Sequence, residues 1–150
     1  MAGVKTSRRR SREFALQGLY QWQLTGTDAP TIARQLGEAQ GYDKIDAEYF
    51  RALLDGAVAD APTLEHDIAP YLDRRFSELS PIERGILLLA GYELKHRLEV
   101  PYRVVINEAV ELAKSYGGTD GHKYVNGVLD KLAAHLRPAE PRGRRMETRD

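Results

Sequence analysis

Four arginines, Arg8, Arg9, Arg10 and Arg12, fall within five positions with no lysine among them. They run directly into Phe14, Gln17, Tyr20, Gln21 and Trp22. A guanidinium is planar and always charged. Its fork of donors suits phosphate oxygens, and its flat face suits stacked bases. A run of this kind is therefore equipped to hold RNA or DNA. It is equally equipped to be a solvated basic end that only improves solubility. The absence of any acid before Glu13, and the neighbouring aromatics and glutamines, weigh towards binding.

A second constellation, "SYGGTDGHKYVNG", spans 115–127. Gly117, Gly118, Asp120, Lys123, Tyr116 and Tyr124 surround an expected helix start. Free amides at a helix start, helped by Lys123, can hold a phosphate. Tyr116 and Tyr124 can offer faces to splayed bases. The segment also admits a plainer reading, in which both tyrosines edge the core and the glycines only end a helix. Asn126 is open in the same way: it can bond a base edge or tie two helices together.

Other chemistry finds little support. His66, His96, His122 and His135 are scattered, none in a metal-ligand spacing, and no phosphate loop or dinucleotide glycine pattern occurs. No pair of carboxylates is singled out. The reading is a non-enzyme with no cofactor and no metal. There is no cysteine, so disulfides and thiolate metal sites are excluded and a reducing compartment fits. No apolar run approaches the ~18 residues of a membrane span. The N-terminus lacks the apolar stretch of a signal peptide. Cytoplasm is the expectation.

Charge is distributed more tellingly than it sums. The 22 basic and 22 acidic residues cancel, which opposes long-range attraction to a polyanion but leaves room for a local patch. Lys5 and the four arginines precede the first acid. A second cluster, Arg137, Arg142, Arg144, Arg145 and Arg149, lies near the C-terminus, and the chain between is acidic on balance.

The elements that must position these residues are helical. Apolar residues recur at helical spacing and no alternating strand pattern is convincing. Ser7 or Ser11 is expected to cap a first helix ending near Gly26, with Ala15, Leu16, Leu19 and Trp22 inward. A short helix after Asp28 and Pro30 buries Ile32, Ala33 and Leu36, and Asp46 caps a third. Pro62 begins a fourth. "SPIE" at 80–83 reads as a capping box for a central helix, apolar over most of its circumference. "YRVVINEAVELAKSY" is a further helix closed by Gly117 and Gly118, and Asp120 opens the last. The expected fold is an all-α compact bundle of about seven helices. It forms a single domain over 1–137, followed by a disordered basic tail over 138–150.

Projected at 100° per residue, Arg8 and Arg12 share a line with Ala15 and Leu19. An unpaired guanidinium is too costly to bury, so the arginines are expected to stand clear of the bundle. Gly18 within this helix suggests a close approach of another helix or of RNA, because alanine there would favour the helix by about 1 kcal/mol.

The segment "VPYRVVINEAVELAKSYGGTDGHKYVNGVLDKL" resembles the C-terminal half of the bacterial NusB family, "RRRSREFALQGLYQWQL" its arginine-rich first helix, and "SPIERGILLLAGYEL" its middle helix. The resemblance runs in order over roughly positions 7–137. It implies two packed three-helix subdomains and transcription antitermination. It further implies binding to the single-stranded boxA element of ribosomal RNA leaders, as a heterodimer with the ribosomal protein NusE in an antitermination complex on RNA polymerase. Carried over by motif, the RNA-binding residues are Arg8, Arg9, Arg10, Arg12, Gln17, Tyr20, Tyr116, Asp120, Lys123, Tyr124 and Asn126. The NusE-facing residues fall around Glu78, Glu83 and Arg84. The tail is longer and more basic than the family pattern requires.

Two other readings remain. A related helical domain occurs fused to an RNA cytosine methyltransferase, but this sequence lacks the catalytic domain and its cofactor-binding segment. The other is a protein-interaction adaptor whose arginine-rich end meets an acidic protein surface without reading RNA.

Overall fold

Two helix starts are set by single side chains. Asp46 Oδ1 accepts from the Tyr49 amide at 3.1 Å, and Ser80 Oγ accepts from the Glu83 amide at 3.1 Å. Each satisfies a donor that the first turn leaves without a helical partner. The computed structural model describes residues 3–118 and 120–140. Among the described residues the α-helices are α1 (Gly3–Thr25), α2 (Ala29–Leu36), α3 (Ala47–Ala59), α4 (Ala61–Ile68), α5 (Pro81–His96), α6 (Tyr102–Tyr116) and α7 (Gly121–Leu136), and there is no strand.

The helices fall into two groups of three. α1, α2 and α3 pack on one another, as do α5, α6 and α7. α1 and α3 also lie against α5, and α4 packs on α5 and α7. α5 is thus the shared wall, and every residue from Gly85 to Gly91 is buried. This matches its all-round apolar sequence. Glycine permits the closest approaches. A Cβ on Gly18 would lie 2.9 Å from Leu54 and 3.3 Å from Ile32, so α1 meets α2 and α3 at this point and the neighbour is protein. A Cβ on Gly56 would collide with the Tyr92 ring at 2.2 Å.

Several local expectations are corrected. α1 begins at Gly3, before either candidate cap. Ser11 is fully buried instead, and its hydroxyl accepts from the Asp46 amide (2.9 Å) and donates to the Asp46 carbonyl (2.8 Å), joining α1 to the start of α3. Only the Ser80 half of the capping box forms. The Glu83 carboxylate turns towards α7, with Oε2 3.3 Å from where a Cβ on Gly121 would stand. Asp120 precedes α7 without a side-chain cap bond.

Arg137, grouped by composition with the basic tail, is buried. Its guanidinium donates to the carbonyls of Leu94 (2.8 Å), Val100 (2.7 Å), Glu93 and Arg97 (3.1 Å each), closing the C-terminal end of α5. Glu140 accepts from Arg137 at 2.7 Å and from the Tyr102 amide at 3.0 Å. The tail expectation for 141–150 lies outside the described residues.

Candidate nucleic-acid interface

The arginine run winds around α1, so its members meet different neighbours. Arg12 faces inward and is 4% exposed. Its Nε and Nη2 each donate to Glu93 on α5 at 2.8 Å, a bidentate pair. Glu93 is 1% exposed and also accepts from the Tyr49 hydroxyl of α3. Burial alone would lower the Arg12 pKa, but the Glu93 hydrogen bonds and charge outweigh it and the net shift is upward. Burial, then the charge and hydrogen bond of Glu93, push the Tyr49 phenol up, so it stays protonated and donates.

Arg9 is also paired. Its Nε and Nη2 donate to Glu108 on α6 at 3.0 and 2.8 Å, while its side chain remains 46% exposed. Arg8 lies over the Tyr49 ring, 4.1 Å from its centroid, and 3.7 Å from Asp46. The expectation that the arginines stand clear of the bundle therefore holds only in part. An unpaired guanidinium cannot be buried, but α3, α5 and α6 supply carboxylates and a phenol, and a paired one can. Arg10 is exposed and has no ion pair or hydrogen bond among the described residues.

Further along the same exposed side of α1, Gln17 and Tyr20 meet Tyr116 from the last turn of α6. With Glu13, Phe14, Leu16 and Ile82 they line a cavity of about 270 Å³. Tyr20 is 39% and Tyr116 51% exposed. Partial burial, then the Glu13 charge, raise the Tyr116 pKa, so the ring stays neutral. Residues from both ends of the sequence thus form one groove with two accessible aromatic faces.

The remaining expected residues divide. Asp120 and Lys123 are exposed, 3.8 Å apart, and lie at the start of α7. Asn126 faces a different groove, about 260 Å³, with Arg103 and Asn107 of α6 and Asp130 of α7. Tyr124 does not offer an open ring. It is half-buried against the core, its hydroxyl accepts from the Asp73 amide at 3.3 Å, and Arg74 lies 4.7 Å above its centroid. Around the start of α5, Glu78 accepts from the Arg75 amide at 3.0 Å, and Arg84 donates to Glu65 at 3.1 Å. Glu83 faces Gly121. Glu83 and Arg84 directly follow Ile82, which lines the aromatic groove.

Three residues that hold this surface are not singled out by sequence, Glu93, Glu108 and Arg74, and the sequence marks Tyr49 only as an inward residue of the third helix, where it is indeed buried. Glu93 carried a signal, as a carboxylate within the otherwise apolar face of a central helix. Among the described residues no group of acids and histidines is arranged to hold a metal ion, and no helix is long and apolar enough to cross a membrane.

The NusB family model matches residues 9–134. Transcription antitermination protein NusB of Paraburkholderia phymatum is 61% identical over 137 residues, spanning 91% of this chain and 94% of that protein. The protein of the same name from Burkholderia cenocepacia is 58% identical over 141 residues, spanning 94% and 97%. Among solved structures, T. maritima NusB superposes with a TM-score of 0.78 at 31% identity, covering 93% of this chain and 96% of that one. A crystal structure of the antitermination factors NusB and NusE in complex with dsRNA gives a TM-score of 0.74 at 27% identity, covering 85% and 96%. On sequence and on fold, over nearly its whole length, the chain belongs to the NusB family, a family of transcription antitermination factors and not of enzymes.

Proposed function

We propose that this chain binds the single-stranded boxA element of ribosomal RNA leader transcripts, as a heterodimer with NusE, within an antitermination complex on RNA polymerase. The observation that carries this reading is the groove in which Gln17 and Tyr20 of α1 meet Tyr116 of α6, with the unpaired Arg10 on the same helix. Aromatic faces of this kind suit unstacked bases, which a duplex does not present. The solved relative with NusE and RNA supports the partner and the polymer, although its RNA is named as double-stranded.

Within this reading the arginines act in two ways. Arg9 and Arg10, with Lys123 at the start of α7, reach phosphates. Arg8 and Arg12 hold α1 in place. The NusE surface is the start of α5 around Glu78, Glu83 and Arg84, next to Ile82 in the groove. A partner seated there extends the RNA path without displacing the first contacts, and linkage requires RNA to tighten the protein pair by the same factor.

Fluorescence anisotropy with a labelled boxA strand, its scrambled counterpart and its duplex tests the reading, with and without saturating NusE. The boxA single strand binds tightest, and NusE raises its affinity by more than that of the scrambled strand. Three phosphate contacts give a slope of log K against log salt of roughly −2 for a single strand. Equal curves for all three RNAs overturn the sequence-reading pair. No binding to any of them leaves the adaptor reading.

A further inference from the structure

Tyr124 has Arg74 on its outer side. The Arg74 guanidinium carbon stands 4.7 Å from the ring centroid. Its Nε and Nη2 donate to the two Asp73 oxygens at 2.7 and 3.2 Å. The Asp73 amide in turn donates to the Tyr124 hydroxyl at 3.3 Å. Ring, guanidinium and carboxylate hold one another across a loop and a helix far apart in sequence. The inner side of Tyr124 packs against the core. The Arg74 side chain nonetheless remains 43% exposed; Lys123, which precedes Tyr124 on α7, is 75% exposed, and Arg75, which follows Arg74 on the loop, is 82% exposed.

A base reaching this end of α7 meets the guanidinium first and not the phenol ring. Arginine planes stack bases as aromatic rings do. A guanidinium already fixed by a carboxylate loses little freedom when it takes a base. Its charge is answered in part by Asp73, as that of Arg75 is by Glu78 at 3.3 Å and that of Lys123 by Asp120 at 3.8 Å, so what sets Arg74 apart is the guanidinium face held over the Tyr124 ring. We propose that Arg74 is a nucleobase-stacking residue of the RNA surface, held over Tyr124 so that ring, guanidinium and base form a three-layer stack. This rests on the reading that the chain binds single-stranded RNA. It extends the surface from the Tyr20–Tyr116 groove to the loop before α5.

The ion pair of Arg74 is exposed and formed with its own neighbour, so it contributes little to stability and can be removed cleanly. The test uses the full chain with NusE and a boxA single strand in which 2-aminopurine replaces one base at a time. Anisotropy gives the affinity, 2-aminopurine fluorescence reports stacking, and thermal melting checks the fold. Arg74→Ala and Arg74→Lys both weaken binding by about tenfold with unchanged melting, and both restore fluorescence at one position quenched in the wild type. Arg74→Lys keeps the charge and loses the plane. If it binds as the wild type does, the contact is charge alone and the proposal fails. Tighter binding by Arg74→Ala also overturns it, since Arg74 would then be covering a ring that stacks the base itself. Wild-type affinity in both variants overturns this inference and leaves RNA binding standing. A wild type that binds no RNA sinks both.

Discussion

The arginine turns of α1 and the aromatic groove beside them are built from similar contact-making residues, yet they use them oppositely. In the first, Arg8, Arg9 and Arg12 are each answered by a carboxylate from α3, α5 or α6. In the second, Tyr20 and Tyr116 line one cavity and both rings stay exposed. The charge-rich stretch is mainly the means by which α1 is seated. The less conspicuous aromatic pair is where a base has room to bind. A run of like charges in a sequence therefore counts possible contacts, not available ones: of four guanidiniums, Arg10 alone has no partner among the described residues.

The largest expected effect is at Arg12. Arg12→Ala leaves Glu93 buried without its cation and should cost about 3–5 kcal/mol in urea unfolding, whereas Arg10→Ala should stay within about 0.5 kcal/mol. Replacing all three members, Arg12→Met and Glu93→Leu with Tyr49→Phe, should recover most of that loss, because neither a buried charge nor the Tyr49 hydroxyl is left unpaired. Equal stability of Arg12→Ala and Arg10→Ala would remove the division between seating and contacting arginines.

A smaller effect sharpens the other side. Tyr116→Ala and Tyr20→Ala should each weaken RNA binding by about 1–3 kcal/mol with little change in unfolding, Tyr116 the more cleanly because it is the more exposed. If both bind RNA normally, the groove is not the place where bases stack. The smallest expected effect is at Arg10. Its removal should flatten the slope of log K against log salt by about 0.7, one phosphate's share for a single strand. An unchanged slope would mean that Arg10 contacts no phosphate.

Much of the scaffold was legible in the sequence because its signals are local. Asp46 and Ser80 cap helices three residues ahead, and Gly26 and Gly118, at φ +74° and +87°, stand just beyond two helix ends. The helical projection also placed Arg12 correctly, on the line of Ala15 and Leu19. The conclusion drawn from it failed because the partners are distant: Glu93 lies 81 residues on, and the Glu108 that holds Arg9 lies 99 residues on. Tyr124 was open between two readings, and the structure places it at the edge of the core. Its residue type suggested a stacking face, but the loop that covers it is fixed through Asp73, 51 residues earlier, and no periodicity links the two. The Tyr20–Tyr116 groove unites both ends of the chain, and only the family resemblance pointed to it.

The long reach of these ion pairs sets an order of events during translation. Arg12 leaves the ribosome 81 residues ahead of Glu93, and Arg9 leaves 99 residues ahead of Glu108. At about 5–20 residues per second, the Glu93 carboxylate arrives roughly 4–16 s later. For that interval Arg12 lacks its Glu93 partner and Arg9 its Glu108 partner, beside the ribosome's own RNA, while Asp46 and Tyr49 are already there for Arg8. The seating of α1 must wait for α5 and α6, which makes these turns among the last parts of the nascent chain to settle. A truncated product ending before Glu93 would keep the whole arginine run with no buried carboxylate to restrain it. It would bind polyanions with less discrimination than the finished protein.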